Sequence, residues 1–94
     1  MKLNPRFASG YYGRATILCD REQLDRAIIE FNRAIEIDTN LVTAYANRGL
    51  ALLRQGKDDE AARDFVQALR LDPSMKEELE PHISKVKELR QKQN

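Results

Sequence analysis

The sequence predicts an all-α protein, an α-solenoid of about five helices arranged in antiparallel pairs. Three observations support this fold class: a 34-residue internal repeat, apolar residues at helical spacing, and turn signals between the helices. Repeats of roughly 20–50 residues are typical of solenoids, because each unit buries its apolar face against its neighbours. Shifting the chain by 34 residues produces eight identities without a gap. These identities are Tyr11/Tyr45, Arg14/Arg48, Leu18/Leu52, Asp25/Asp59, Ala27/Ala61, Phe31/Phe65, Ala34/Ala68 and Asp38/Asp72.

The repeat also sets the domain organisation, and 94 residues suit a single small domain. Repeat one occupies residues 8–41, repeat two occupies residues 42–75, and a capping helix occupies residues 76–94. Residues 1–7 resemble the end of a preceding repeat, because Leu3-Asn4-Pro5 falls at the positions of the later Leu-Asp-Pro sequence. The chain is therefore either a short gene product or a segment of a longer array, and this remnant favours the longer array.

Repeat one is predicted to form two helices, over about residues 6–19 and 23–37. The turn between them, Asp20-Arg21-Glu22, contains no glycine. Because glycine most readily adopts the left-handed conformation that ends a helix, we expect this turn to be less sharply defined than the corresponding turn of repeat two.

In repeat two, the first helix begins near Ala44 and ends at Gln55-Gly56-Lys57, where the glycine can adopt that conformation. We expect Asp58 to be the N-cap of the second helix, whose apolar face extends to Leu71. Asp72-Pro73 is predicted to end this helix and to place proline at the first position of the next one.

A fifth helix is predicted over about residues 74–91 and begins a third copy of the repeat, which then stops. Pro81 lies within it and removes one hydrogen bond of the helix, so we expect a kink or a later helix start. The apolar stripe of this helix is Leu79, Ile83, Val86 and Leu89.

Composition excludes several classes of function. Sixteen basic and fifteen acidic residues leave a net charge of +1, without the basic excess of a nucleic-acid module or of a polybasic membrane anchor. Mean hydropathy is −0.64, and no apolar run approaches the roughly 18 residues of a membrane span. The single cysteine, Cys19, predicts a reducing, cytoplasmic setting. With one histidine, His82, and no catalytic or phosphate-binding motif, we expect no metal, no cofactor and no enzymatic activity.

The repeat resembles the tetratricopeptide repeat, whose 34 residues carry an aromatic residue, Leu-Gly, Tyr, Ala-x-x-x-Phe and finally Pro. The second copy matches with Tyr45, Arg48-Gly49, Leu52, Ala61-x-x-x-Phe65, Ala68 and Pro73. The first copy matches with Tyr11, Arg14-Ala15, Leu18, Ala27-x-x-x-Phe31 and Ala34, and has Thr39 in place of the proline. Arg replaces the usual Leu and Leu replaces the usual Tyr in both copies. The resemblance implies a right-handed α-solenoid.

The spacing of small and aromatic residues predicts the core. Ala15 and Gly49 are expected where the two helices of a repeat cross closely, and Phe31 and Phe65 between the repeats. The full predicted core is Tyr11, Ala15, Leu18, Ala27, Phe31, Ala34, Tyr45, Gly49, Leu52, Ala61, Phe65, Ala68 and Pro73. A solvated outer face is predicted at Arg26, Glu30, Arg33, Arg63, Asp64, Gln67 and Arg70.

The resemblance further implies that the first helices of successive repeats line a concave groove for an extended peptide or a partner's helix. Asn47 is the best candidate to bond a ligand's backbone, because its amide both donates and accepts. Apolar contacts are expected at Tyr12, Leu50 and Leu53. The candidate groove residues are Ser9, Tyr12, Gly13, Thr16, Thr43, Ala46, Asn47, Leu50, Leu53 and Arg54, with Glu77, Glu80, Pro81 and Ser84 on the fifth helix.

Some members of this family grip the C-terminal carboxylate of heat-shock chaperones with a clamp of basic residues and asparagines. Asn47 fits the central position of that clamp. Tyr12 and Thr16 stand where its first pair is required, and Glu77 and Pro81 where its Lys and Arg are required. The clamp is therefore incomplete, and we do not expect a chaperone tail as the ligand.

The predicted function is that of a non-catalytic protein–protein interaction module, an adaptor or scaffold that binds a partner protein or peptide in the concave groove. The alternative is structural self-assembly, as a homo-oligomer formed through the ends of the solenoid. Leu3, Phe7 and Leu89 support this alternative, because apolar residues at an uncovered solenoid end favour end-to-end contacts.

Overall fold

The computed structural model describes residues 5–92, with side chains from Phe7 onward, and consists of five α-helices over this range. Helices α1 and α2 form the first antiparallel pair, α3 and α4 form the second, and α5 packs mainly on α3. The molecule is elongated, with extents of 47 × 28 × 19 Å. These features confirm the predicted all-α helical-repeat solenoid. The helices are α1 Pro5–Asp20, α2 Leu24–Ile37, α3 Val42–Arg54, α4 Asp58–Leu71 and α5 Met75–Lys92.

Helix α3 ends in the predicted glycine turn. Gly56 has a φ of 82°, in the left-handed region. Its N–H donates to the carbonyl of Leu53 at 3.0 Å, and the N–H of Lys57 donates to the carbonyl of Leu52 at 2.9 Å. This pair of bonds is the Schellman motif, which pairs the last carbonyls of a helix with donors beyond its end.

Helix α1 ends in the same motif without a glycine. Glu22 takes the place of Gly56, with a φ of 62°. Its N–H donates to the carbonyl of Cys19 at 3.0 Å, and that of Gln23 donates to the carbonyl of Leu18 at 2.9 Å. The expectation of a less sharply defined turn was therefore wrong, because a glutamate adopts the left-handed conformation in place of the missing glycine.

The predicted start of α4 differs in the structure, whereas its predicted end does not. Asp58 is the first residue of α4 rather than its N-cap; the cap is Lys57, which makes no side-chain capping bond. The Asp58 carboxylate instead pairs with Arg90 of α5 at 2.8 Å. Asp72 does end α4, and its carboxylate accepts hydrogen bonds from the N–H and hydroxyl of Ser74 at 3.1 and 2.6 Å. These bonds connect the end of α4 to the start of α5.

Two expectations about proline also change. Pro73 lies in the turn before α5 and is exposed, so it belongs neither to the core nor to the first position of a helix. Helix α5 begins at Met75 and continues through Pro81, which rules out a later start. Proline has no N–H to donate to the preceding turn, so α5 lacks one backbone hydrogen bond at Pro81. The helix continues because its other backbone hydrogen bonds and its packing on the second repeat stabilise it.

Small residues lie where the helices contact one another. Ala15, Ala27 and Ala61 are completely buried. A Cβ atom added at Gly49 would lie 2.6 and 2.9 Å from ring carbons of Phe65, closer than any real contact, so α3 and α4 could not approach this closely with a larger residue. Phe31 is fully buried and belongs to the cluster that joins the two repeats; its other buried members are Ala15, Ala27 and Ala44.

The arginine that replaces the usual leucine in repeat two makes a polar contact within the fold. Arg48 donates from Nε and Nη2 to the carboxylate of Asp64 at 2.8 and 2.6 Å, and from Nη1 to Oδ1 of Asn32 at 2.9 Å. Its guanidinium also lies 5.6 Å from the ring centre of Tyr45. Asp64 is only 5% exposed, so its assignment to the solvated outer face was wrong.

Repeat one contains a weaker version of this contact. Arg14 lies 5.6 Å from the ring centre of Tyr11 and pairs with Glu30 at 3.4 Å. Glu30 is partly buried rather than fully solvated, whereas the Arg14 side chain is 62% exposed. The tyrosine, the arginine and the acidic residue all recur after 34 residues, and this recurrence is the sequence signal for the pair.

Candidate partner-binding trough

Helices α1, α3 and α5 enclose a concave surface with two adjoining pockets. The larger has a volume of about 340 Å³ and the smaller about 160 Å³, and both are lined by Asn47, Leu50 and His82. We call this surface the trough: α3 forms its floor, and α1 and α5 form its walls. The larger pocket is completed by Thr16, Cys19, Asp20, Phe31, Ala51, Arg54, Lys85 and Val86. The smaller pocket is completed by Thr43, Ala46, Met75, Glu78 and Leu79.

Asn47 occupies the centre of the floor and is fixed by a contact with α1. Its Nδ2 donates a hydrogen bond to the hydroxyl of Tyr12 at 2.7 Å. The Tyr12 ring in turn packs on Phe31, with 6.0 Å between ring centres. The amide is therefore held in one orientation, and its oxygen and second N–H remain available in addition to this bond.

Six of the ten groove residues predicted on α1 and α3 line the two pockets, counting Ala46, which is almost fully buried. Thr16, Thr43, Asn47, Leu50 and Arg54 line the trough. Tyr12 reaches the trough through its bond to Asn47. Ser9 and Gly13 lie on α1 outside the lining of both pockets.

Two predicted groove residues are instead core residues. Ala46 is 2% exposed and clusters with Ala68 and Leu79, so it borders the smaller pocket with almost no accessible surface. Leu53 is 3% exposed and belongs to a cluster that Val86 of α5 packs against. Both corrections have the same cause, because α5 covers these positions of the preceding repeat.

Helix α5 presents different residues to the trough from those predicted. The 34-residue period placed Glu77, Glu80, Pro81 and Ser84 there, whereas Glu78, His82 and Lys85 line the pockets. The difference amounts to a shift of about one residue around the helix. It arises because the apolar stripe of α5 packs on the second repeat and sets the rotation of the helix. The packed residues of that stripe are Leu79, Ile83 and Val86. A prediction of the helix rotation from this apolar stripe, rather than from the 34-residue period, would have identified the α5 residues that line the pockets.

The charges of the larger pocket are divided between its walls. Asp20 lies on the α1 wall of the larger pocket, and Lys85 lies with His82 on the α5 wall. Within residues 7–92 neither Asp20 nor Lys85 forms an ion pair. Arg54 also lines this pocket, but its charge is balanced by Glu22 at 2.6 Å. An acid and a base on opposite walls therefore remain free to meet a ligand.

Cys19 also lines the larger pocket, across from His82. Burial raises the pKa of the Cys19 thiol, although nearby Arg54 opposes this shift, so the thiol stays protonated and is a poor nucleophile. No hydrogen bond joins Cys19 and His82 in the described structure. Among the described residues there is also no group of histidine, cysteine or acidic side chains that could hold a metal ion.

Two family models match the chain and overlap across its two repeats. One, described as TPR repeat, matches residues 15–56, and the other, described as Tetratricopeptide repeat, matches residues 42–75. The chain belongs to the tetratricopeptide repeat family. Repeats of this family generally mediate protein–protein interaction. No helix within residues 5–92 is both long enough and apolar enough to span a membrane.

Known members of the family contain similar segments. DnaJ homolog subfamily C member 3 of Bos taurus is 38% identical over 77 residues, which cover 82% of this chain and 15% of that protein. TPR repeat-containing thioredoxin TDX of Arabidopsis thaliana is 30% identical over 95 residues, covering 96% of this chain and 25% of that protein. Tetratricopeptide repeat protein 36 of Xenopus tropicalis is 38% identical over 73 residues, which cover 73% of this chain and 36% of that protein. The chain thus spans between about a seventh and about a third of the length of these relatives.

Proposed function

We propose that this protein is a non-catalytic adaptor that binds a short segment of a partner protein in the trough. The observation that carries the proposal is the pair of adjoining pockets that share Asn47, Leu50 and His82. A concave surface with an apolar floor and a few polar groups at its edges is the usual form of a binding site. The absence of a disulfide partner for Cys19 supports a reducing, cytoplasmic setting.

The proposed affinity is in the micromolar range. The floor of the trough is one helix of 13 residues, so we expect a ligand there to bury less surface than the interfaces of stable protein complexes. Binding energy beyond the cost of association must come from a few contacts around Leu50 and Asn47. Further repeats beside this one would lengthen the trough and raise the affinity.

The carboxylate tail of a heat-shock chaperone is not the proposed ligand. Asn47 lies in the trough and fits the clamp. By the sequence register, however, Tyr12 and Thr16 stand where its first pair is required, and Glu77 and Pro81 where its basic pair is required. The relatives carry names as different as DnaJ homolog and thioredoxin. Their similarity therefore supports a shared repeat module and points to no common partner.

The test is capture of binding proteins from the source cell by wild-type protein and by the variant Asn47→Ala with Leu50→Glu. We expect the variant to lose the captured proteins and to retain the helical circular dichroism spectrum of wild type. The matched control is Asn40→Ala with Val66→Glu, which also replaces an asparagine by alanine and an aliphatic residue by glutamate, at exposed positions outside the trough. If the trough variant captures the same proteins as the control, the proposal is wrong.

Self-assembly is a second candidate function, and exposed apolar residues on α1 favour it. Phe7 and Ile17 are 57% and 55% exposed. Their counterparts 34 residues later, Leu41 and Ala51, pack on or lie within the core. Sedimentation at several concentrations separates the two functions: a concentration-dependent dimer that is lost in Phe7→Ser supports self-assembly, and a monomer at all concentrations removes it.

A further inference from the structure

We propose that the trough takes an amphipathic α-helix of about three turns, rather than an extended peptide. The acidic flank of this helix lies on the α5 wall, against Lys85 and His82, and its basic flank lies on the α1 wall, against Asp20. The inference rests on the proposed function and specifies the chemistry of the partner segment. Its grounds are the hydrogen bonds already made within the trough, the division of charge between the walls, and the length of the floor.

The polar groups of the trough are poorly placed to hold an extended chain. An extended ligand presents an unpaired N–H and C=O at each residue, and these need partners when they leave water. Two of the three neutral polar side chains in the trough already donate within the protein. Thr16 donates to the carbonyl of Gly13 at 2.7 Å, and Asn47 donates one N–H to Tyr12 at 2.7 Å. Asn47 keeps one donor and one acceptor, which pair with the backbone of a single ligand residue at most. A helix satisfies its own backbone and makes no such demand.

The charges on the walls match a helix with two different flanks. Asp20 on α1 and Lys85 on α5 face the same pocket from opposite sides, and neither has an ion-pair partner within the described side chains. Arg54 is paired with Glu22, and Glu78 lies further along the α5 wall in the smaller pocket. A helix with its apolar stripe on Leu50 carries its two flanks toward the two walls, where opposite charges complement Asp20 and Lys85.

The floor has the length of a short helix. From Thr43 to Arg54 it comprises twelve residues of α3, and these span about 16 Å at 1.5 Å per residue. A further pocket of about 280 Å³ shares Arg54 and Val86 with the larger pocket and adds apolar surface from Leu24 and Leu89. A ligand helix of about three turns covers this distance and uses Leu89, which is 49% exposed in the isolated chain.

The first test uses three synthetic peptides of about fourteen residues, each held helical by a cross-link on its solvent side. All three peptides carry the same apolar stripe and differ only in their flanks. The mixed peptide has one acidic and one basic flank, the second peptide has two acidic flanks, and the third has two basic flanks. We expect the mixed peptide to bind the full chain about tenfold more tightly than either of the others at low salt. In the peptides with two acidic or two basic flanks, one attractive contact with a wall charge becomes a repulsive contact. A single exposed ion pair changes affinity about two- to fivefold.

Variants of the two walls then exchange this preference. In Lys85→Glu both walls are acidic, so the peptide with two basic flanks becomes the tightest ligand. In Asp20→Lys both walls of the larger pocket are basic, so the peptide with two acidic flanks becomes the tightest. The matched controls Lys87→Glu and Asp59→Lys make the same changes at exposed positions outside the trough and leave the order of the peptides unchanged.

The helical conformation is tested separately. A peptide of the mixed type without the cross-link and with a central proline cannot form the helix but can still bind as an extended chain. We expect it to bind at least tenfold more weakly than the cross-linked mixed peptide. Equal binding of the two overturns the inference of a helical ligand.

Two further outcomes overturn the proposal: an unchanged order of peptides in Lys85→Glu and Asp20→Lys, and no binding of the mixed peptide at about 1 mM. These failures remain distinguishable from failure of the proposed function. The capture experiment with Asn47→Ala and Leu50→Glu does not depend on the peptides. If that variant loses its partners while the peptides fail, the trough remains the binding surface and only the helical, two-flanked ligand is wrong.

Discussion

Arg48 connects three helices of the solenoid through a single guanidinium. It donates to Asp64 on α4 and to Asn32 on α2, and it covers the ring of Tyr45 on its own helix. The hydrogen bond to Asp64 is the main reason that the pKa of Arg48 is raised, while burial opposes the shift. Arg48 therefore stays charged at every pH at which the protein is folded. The tetratricopeptide pattern has leucine here, so this chain has a charged side chain where the pattern has an apolar one.

Replacing Arg48 by Leu should reduce the free energy of unfolding by about 2–3 kcal/mol, because it leaves the buried carboxylate of Asp64 without a partner. The double variant Arg48→Leu with Asp64→Leu should recover most of this loss, since the unpaired charge is then gone. Urea denaturation measures both. Arg14→Leu is the control, and its exposed ion pair should cost less than about 1 kcal/mol. Equal losses for Arg48→Leu and Arg14→Leu would contradict the prediction.

At the scale of the helices, the two turns that reverse the chain within each repeat have the same hydrogen bonds but different residues. Gly56 adopts the left-handed conformation in repeat two without steric cost, whereas Glu22 adopts it in repeat one with a Cβ atom in an unfavourable position. Glu22 offsets part of this cost through its ion pair with Arg54, although its side chain is 73% exposed. The turn of repeat one is thus well formed and locally strained.

Relief of this strain is measurable as a difference between two substitutions. Glu22→Gly should be more stable than Glu22→Ala by about 1 kcal/mol, because both remove the ion pair and only glycine is free of the left-handed penalty. The matched control lies at Arg63, exposed in the middle of α4, where Gly should be less stable than Ala by about 1 kcal/mol. Thermal or urea unfolding of the four variants gives both differences. The same sign at both positions would refute the strain at Glu22.

Across the whole molecule, the two repeats share one core, and Phe31 is its central large side chain. Phe31 is fully buried between the repeats, whereas Phe65, at the same position of repeat two, is only half-buried. From the sequence alone the two residues are equivalent, because they are 34 residues apart in the repeat. They differ in the structure because Phe31 is enclosed by both repeats, while α5 packs mainly on α3 and leaves the outer side of α4 more open.

Phe31→Ala should therefore reduce the free energy of unfolding by about 3–5 kcal/mol, and Phe65→Ala by distinctly less. Because a solenoid of two repeats depends on the contact between them, Phe31→Ala should also lower the unfolding midpoint of the entire chain rather than of one repeat. Urea denaturation followed by circular dichroism measures the loss. A larger effect at Phe65 would contradict the shared core described above.

The 34-residue period was sufficient to predict the helices and the fold class, because small residues at fixed positions specify how helix pairs pack. It also located the floor of the trough at Asn47 and Leu50. It was not sufficient for α5, whose rotation depends on how its apolar stripe packs on the second repeat. The burial of Leu53 and the placement of His82 follow from that rotation. The pairing of Asp64 was likewise missed, because it depends on how closely α3 crosses α4.

Phe31 has a second consequence, because it borders the larger pocket as well as filling the core. A mutation that reshaped the bottom of the pocket at this position would weaken the fold at the same time. On the proposed function, changes of partner during evolution are therefore restricted to the rim, where Asp20, His82 and Lys85 are exposed and can be exchanged at little cost in stability. The same argument tells a protein engineer which positions to randomise to redirect this module and which one to leave alone.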